Sequence, residues 1–133
     1  MIIVDYNAIA IGGVVGSKMG LDENFIRHTI LNSLRMYKKK FKDYGEMVIV
    51  SDAGGNWRKD VFPEYKAKRK SGREDSKIDW EEVFRLTHMV RDEITENFHW
   101  RTIHQRGCEA DDVIATLCQQ TQEFGNYEPV MII

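Results

Sequence analysis

A chain of 133 residues, 42% apolar and with a net charge of −2, is long enough to bury one core and is too apolar for a disordered tail. No apolar run reaches membrane-span length, and the short opening run, cut off by Asp5, does not read as a secretory leader. The two thiols, Cys108 and Cys118, read as reduced residues, which makes a reducing cytoplasm the expected compartment.

The near-neutral balance conceals segregated charge. Residues 57–73 hold Arg58, Lys59, Lys66, Lys68, Arg69, Lys70 and Arg73 against Asp60 and Glu64 only, a local balance of +5. Residues 35–42 hold Arg35, Lys38, Lys39, Lys40 and Lys42 and no acid. Such clusters, rather than net charge, argue for an anionic partner such as nucleic acid.

In chain order, residues 1–4 form an apolar run ended by Asp5, as in a strand buried on both faces. Residues 7–20 are small and glycine-rich and predict a short helix or ordered loop. Gly16, Ser17 and Lys18 lack the residue order of a phosphate loop. Asp22 caps a predicted helix over 22–42, with Ile26, Ile30, Leu34, Tyr37 and Phe41 on one stripe. Its terminal lysines suit the negative end of the helix dipole. Tyr44 and Gly45 stop it.

Residues 46–51 predict a second strand, ended by Asp52. Residues 53–78 carry most of the bases and little apolar pattern, and read as a long basic loop, helical in part over 64–70. Asp79 and Glu82 have capping-box spacing ahead of a helix lined by Trp80, Val83, Phe84, Leu86, Val90, Ile94 and Phe98. Residues 100–104 predict a third strand. Residues 109–112 open a helix with Ala110, Val113, Ile114, Leu117 and Phe124 on its stripe and Gly125 at its end. Residues 129–133 predict a fourth strand.

Strands alternating with helices predict an α/β fold with a mostly parallel sheet and flanking helices. Ligands of such sheets bind beyond the carboxyl ends of the strands. Asp5, Asp52 and the group Glu109, Asp111 and Asp112 all follow a strand, so the topology gathers them. Each acid alone reads as a turn residue or a helix cap. Gathered, they repel one another unless a hard divalent cation such as Mg²⁺ or Mn²⁺ lies between them.

Lys66 and Arg69 are spaced to share a helical face and to hold a phosphate. Tyr65 is placed to stack on a base. Arg58, Lys59, Lys68 and Lys70 extend the nucleic-acid-binding surface, and Trp57 is expected to pack. His28, His88, His99 and His104 have no zinc spacing.

The motifs Ile2 to Tyr6, Val48 to Asp52 followed by Trp57 to Asp60, Tyr65 to Arg69, Asp79 to Glu81 and Glu109 to Asp112 resemble the structure-specific 5′ nucleases, the flap endonuclease family. The T-even phage ribonuclease H branch is the nearest in pattern. The resemblance covers nearly the whole chain and implies a PIN-like nuclease domain with a flexible basic arch, over about 53–78, above a two-metal site. It implies Asp5, Asp52, Glu109, Asp111 and Asp112 as metal-site acids, some through water. Lys66 and Arg69 become the arch residues that steer the phosphate.

The implied substrates are branched or nicked DNA and RNA–DNA duplexes with a 5′ end, as in primer removal during replication, with Mg²⁺ as cofactor. A phage-encoded member would act in the host cytoplasm, away from the membrane. The family's later acidic motif and its helix–loop–helix duplex grip are absent from these residues. Two expectations follow: an N-terminal half completed by a C-terminal polypeptide, and apolar surface open beside the fourth strand. The alternatives are a homodimeric PIN-type nuclease and a non-catalytic nucleic-acid-binding or assembly module.

Overall fold

The computed structural model describes residues 1–16, 20–123 and 127–133, with only the backbone of Lys70. Ser17, Lys18, Phe124 and Gly125, and the proposed contact of the Lys70 side chain, lie outside the described residues.

Four strands, β1 (Ile2–Asp5), β2 (Met47–Val50), β3 (Arg101–Ile103) and β4 (Met131–Ile132), form one sheet in the order β3-β2-β1-β4. Every pairing is parallel. The apolar runs that predicted β1 and β2 are buried on both faces, as central parallel strands require. Alternation divides them between two cores. Ile2, Val4, Met47 and Ile49 belong to one core, and Ile3, Val48 and Val50 to the other.

The first core lies under three helices, α1 (Tyr6–Val15), α2 (Glu23–Lys40) and α5 (Trp80–Asn97). Asp22 caps α2 by accepting from the Phe25 amide at 2.7 Å. Ile26, Ile30 and Leu34 of α2 are fully buried, which stabilises the fold by roughly 1.5–3 kcal/mol per side chain. The glycine-rich stretch predicted as a short helix or loop is a ten-residue helix. A Cβ on its Gly13 would stand 3.2 Å from Thr29 Cγ2, so a side chain there would require Thr29 of α2 to give by a few tenths of an ångström. The Tyr6 hydroxyl donates to the Thr87 carbonyl at 2.6 Å and ties the start of α1 to α5.

The second core lies under α6 (Ala110–Gln122), through Ala110 and Ile114. Strand β4 pairs with β1 at the sheet edge, and Ile132 there is 55% exposed.

Residues 53–78 depart from the predicted loop. They contain α3 (Trp57–Val61) and α4 (Ala67–Glu74), so the helix expected over 64–70 begins later and runs further. Asn56 starts α3 by accepting from the Arg58 amide at 3.0 Å. No described residue of α4 is buried. Apolar periodicity reports burial against a core, and a helix that faces a cleft carries no such signal. The capping box expected at Asp79 is half formed. Asp79 accepts from the Glu82 amide at 3.0 Å, but the Glu82 carboxylate takes two bonds from Arg85.

Candidate active site

The carboxyl ends of β1 and β2 and the start of α6 open on one cleft of about 360 Å³. Asp5, Asp52, Glu109 and Asp111 line it together with Lys66, Arg69 and Arg73. Four of the five predicted metal-site acids and both predicted phosphate-steering bases therefore share one cavity.

Each acid is held by the element that delivers it. Asp5 ends β1 and caps α1, accepting from the Ala8 amide at 3.1 Å. Burial raises its pKa, with the Asp52 charge adding to the effect and the Ala8 amide opposing it. Asp52 leaves β2 and is fixed at both oxygens. One accepts from the Ala110 amide at 2.7 Å and the other from the Asn7 side-chain amide at 3.0 Å. Asn7 is oriented in turn by the Ser51 hydroxyl, 3.1 Å away.

Glu109 caps α6 in a reciprocal capping box with Asp112. Its side chain accepts from Lys66 Nζ at 2.5 Å and from the Tyr65 hydroxyl at 3.0 Å. Burial works against its charged form, but Lys66, Tyr65 and Arg58 outweigh it and lower its pKa. Lys66 makes this contact from a left-handed backbone, φ 57°, a strain of order 1–3 kcal/mol in a residue with a side chain. Asp111 is exposed and has no hydrogen-bond or ionic partner among the described residues.

Asp112 is placed differently from the other four. It does not line the cleft; its two oxygens take a fork from Arg58 at 2.8 and 2.6 Å. Those bonds, with the Glu109 amide and Trp57 Nε1, hold its pKa far below the usual carboxylate range. Trp57, expected to pack, is half exposed, and its ring carries the Arg58 guanidinium at 4.6 Å. Tyr65, expected to stack on a base, carries Arg58 and Lys66 at 5.8 and 5.0 Å. Lys59 lines a second compartment of about 280 Å³, whereas Lys68 is exposed and lines neither.

Sequence reasoning missed Asn7, Arg73 and Phe84 as cleft residues. The spacing of Arg73, four after Arg69 and seven after Lys66, would have shown it once α4 was extended to residue 74.

Among the described residues, no three histidine, cysteine or carboxylate side chains converge closely enough to hold a metal ion. Protein donors satisfy Asp5, Asp52 and Glu109 instead. The donor chemistry nonetheless fits a hard divalent cation, since it is all carboxylate oxygen and Asp5 is pushed up by burial and by Asp52.

Residues 5–133 match the family model for the 5′-3′ exonuclease N-terminal resolvase-like domain. The chain belongs to this 5′-3′ exonuclease family. It is 33% identical over 125 residues to ribonuclease H of Enterobacteria phage T4, an alignment covering 89% of this chain and 41% of that protein. Its fold matches a bacteriophage T5 flap endonuclease in a pseudo-enzyme-product complex with DNA and metal ions. That match has a TM-score of 0.78 and 18% identity, over 98% of this chain and 47% of the other. A zinc-bound T5 5′-exonuclease matches with a TM-score of 0.77 and 18% identity, over 99% and 47%. This exonuclease-family chain therefore spans less than half the length of these relatives. No helix among its described residues is long and apolar enough to cross a membrane.

Proposed function

We propose that this chain is the N-terminal half of a metal-dependent 5′ nuclease that acts on branched or nicked DNA and RNA–DNA duplexes with a 5′ end. The carrying observation is the meeting in one cleft of acids from two strand ends and a helix start with the Lys66 and Arg69 bases. The length relation to the relatives supports a further C-terminal polypeptide that completes the site.

In this reading Asp5, Asp52, Glu109 and Asp111 hold up to two Mg²⁺ ions, which Mn²⁺ can replace. Asp112 contributes through water or by anchoring the helix start. When bound, such ions lower the pKa of water and stabilise a leaving oxygen. The chain's own residues do the rest. Asn7 and the Ala110 amide fix the direction of Asp52 before substrate arrives. Lys66 leaves Glu109 for the scissile phosphate and, with Arg69, stabilises the charge that builds there. Arg58, Lys59, Tyr65, Lys68 and Lys70 form the surrounding nucleic-acid surface.

The test mixes the chain with a polypeptide supplying the rest of the nuclease and follows cleavage of a 5′-flap substrate with Mg²⁺. Cleavage in the mixture, lost in Asp52→Ala, is the expected result. Unchanged cleavage by Asp52→Ala would falsify the assigned site. Salt-sensitive binding without cleavage in any mixture would mark a non-catalytic binding module instead.

A further inference from the structure

The bases at the cleft differ in how they are engaged. Lys66 is paired with Glu109, and Arg58 with Asp112. Among the described residues, neither Arg69 nor Arg73 has a carboxylate partner. Both line the acid-rich cleft and the second compartment, where Asn56 and Lys59 join them.

Arg73 is also the base whose position is built in. Its guanidinium lies 5.6 Å from the Trp80 ring and 5.1 Å from the Phe84 ring, so α5 carries it. The Ser76 hydroxyl donates to the Arg73 carbonyl at 2.8 Å and accepts from Trp80 Nε1 at 2.6 Å. This links the end of α4 to the start of α5. An arginine on an aromatic face keeps its edge N–H groups free for an oxyanion. Cations that lack a paired carboxylate and line two cavities with shared walls suit an extended polyanion better than one small anion.

We propose that Arg73 is a phosphate-binding residue of this cleft, holding a backbone phosphate of the bound strand next to the one gripped by Lys66 and Arg69. Trp80 and Phe84 position it. The proposal rests on the nucleic-acid reading above but assigns a contact that the reading does not include.

The test measures binding of a 3′-labelled, 5′-phosphorylated single-stranded DNA oligonucleotide to the whole chain in EDTA, across a salt series. A phosphate contact adds about 0.7 to the slope of log affinity against log salt. Arg73→Ala is expected to weaken binding and to reduce the slope by about that amount, and Arg73→Lys to keep the slope. Phe84→Leu is expected to weaken binding with the slope intact, because the charge remains but its seat is lost. Arg73 is exposed, so its variants should melt like the parent. A wild-type slope in Arg73→Ala overturns the proposal while leaving the nucleic-acid reading in place. Absence of binding by the parent chain overturns both.

Discussion

The carboxylate of Asp52 accepts a 2.7 Å hydrogen bond from the backbone amide of Ala110, 58 residues away. This bond joins the end of β2 to the first turn of α6, so the strand-end acid and the acids around Glu109 are held together by backbone. Asn7 takes the other oxygen. Asp52→Asn keeps the shape and an oxygen for Ala110 but removes the charge. We expect a folded variant with cleavage reduced at least about a hundredfold in the completed enzyme. Single-turnover assays with Mg²⁺ decide this, and near-normal rates would remove Asp52 from the metal site.

Lys66 is a base in a strained backbone position, engaged with an acid it must release for the proposed reaction. Lys66→Ala should lower cleavage by about 10²–10³-fold, the usual loss on removing one charge-stabilising donor. The same change frees Glu109, so Mn²⁺ should bind the isolated chain more tightly. Calorimetric titration reads this second effect, and equal Mn²⁺ affinity in parent and variant would contradict it.

The Arg58 fork on Asp112 fastens α3 to α6. Arg58→Ala should speed limited proteolysis within residues 56–66 and lower the melting temperature. The same fastening responds to acid. Both Glu109 and Asp112 have lowered pKa values in the folded chain. Their contribution is complete above the ordinary carboxylate range and is lost as pH falls through the folded values. Proteolysis of the parent should therefore accelerate in acid, and that of Arg58→Ala much less. Identical acid profiles would show that the pair does not fasten the segment.

Asp5 behaves in the opposite sense. Its folded pKa lies above the ordinary aspartate value, so the folded chain binds the extra proton and stability falls as pH rises across that interval. Asp5→Asn cannot titrate and retains an oxygen for the Ala8 amide. In EDTA the variant should melt higher than the parent at neutral pH, with the gap closing in acid below the ordinary Asp range. Divalent metal should stabilise the parent and not the variant. A constant gap at every pH would reject the burial argument.

Tyr6 connects α1 to α5 through the Thr87 carbonyl. Tyr6→Phe should cost about 1 kcal/mol, the typical net value of one hydrogen bond, read as a shift of the urea midpoint at unchanged slope.

The parallel architecture was legible because Ile2 to Val4 and Met47 to Val50 are unbroken apolar runs, and only strands covered on both faces read that way. Asp5 and Asp52 were legible for the same reason, each being the first acid after a buried apolar strand. Helix α4 was legible only in part, its bounds shifted from the expected 64–70, since its residues meet a cleft instead of a core. Asn7 and Phe84 were missed because each reaches the cleft from a helix whose place is set by packing, and Arg73 because the predicted helix stopped at residue 70.

The group Glu109 to Asp112 divides the two kinds of information most clearly. Its acids stand at a helix start, and local capping preference is enough to place them there. Which of them faces the cleft depends on the rotation of α6. Ala110 and Ile114, buried against Ile3, Val48 and Val50, set that rotation. It carries Glu109 and Asp111 into the cleft and leaves Asp112 to Arg58. Spacing along the chain defines an element and its ends, but side-chain direction is decided when two apolar faces pack, and that packing exists only in the folded molecule.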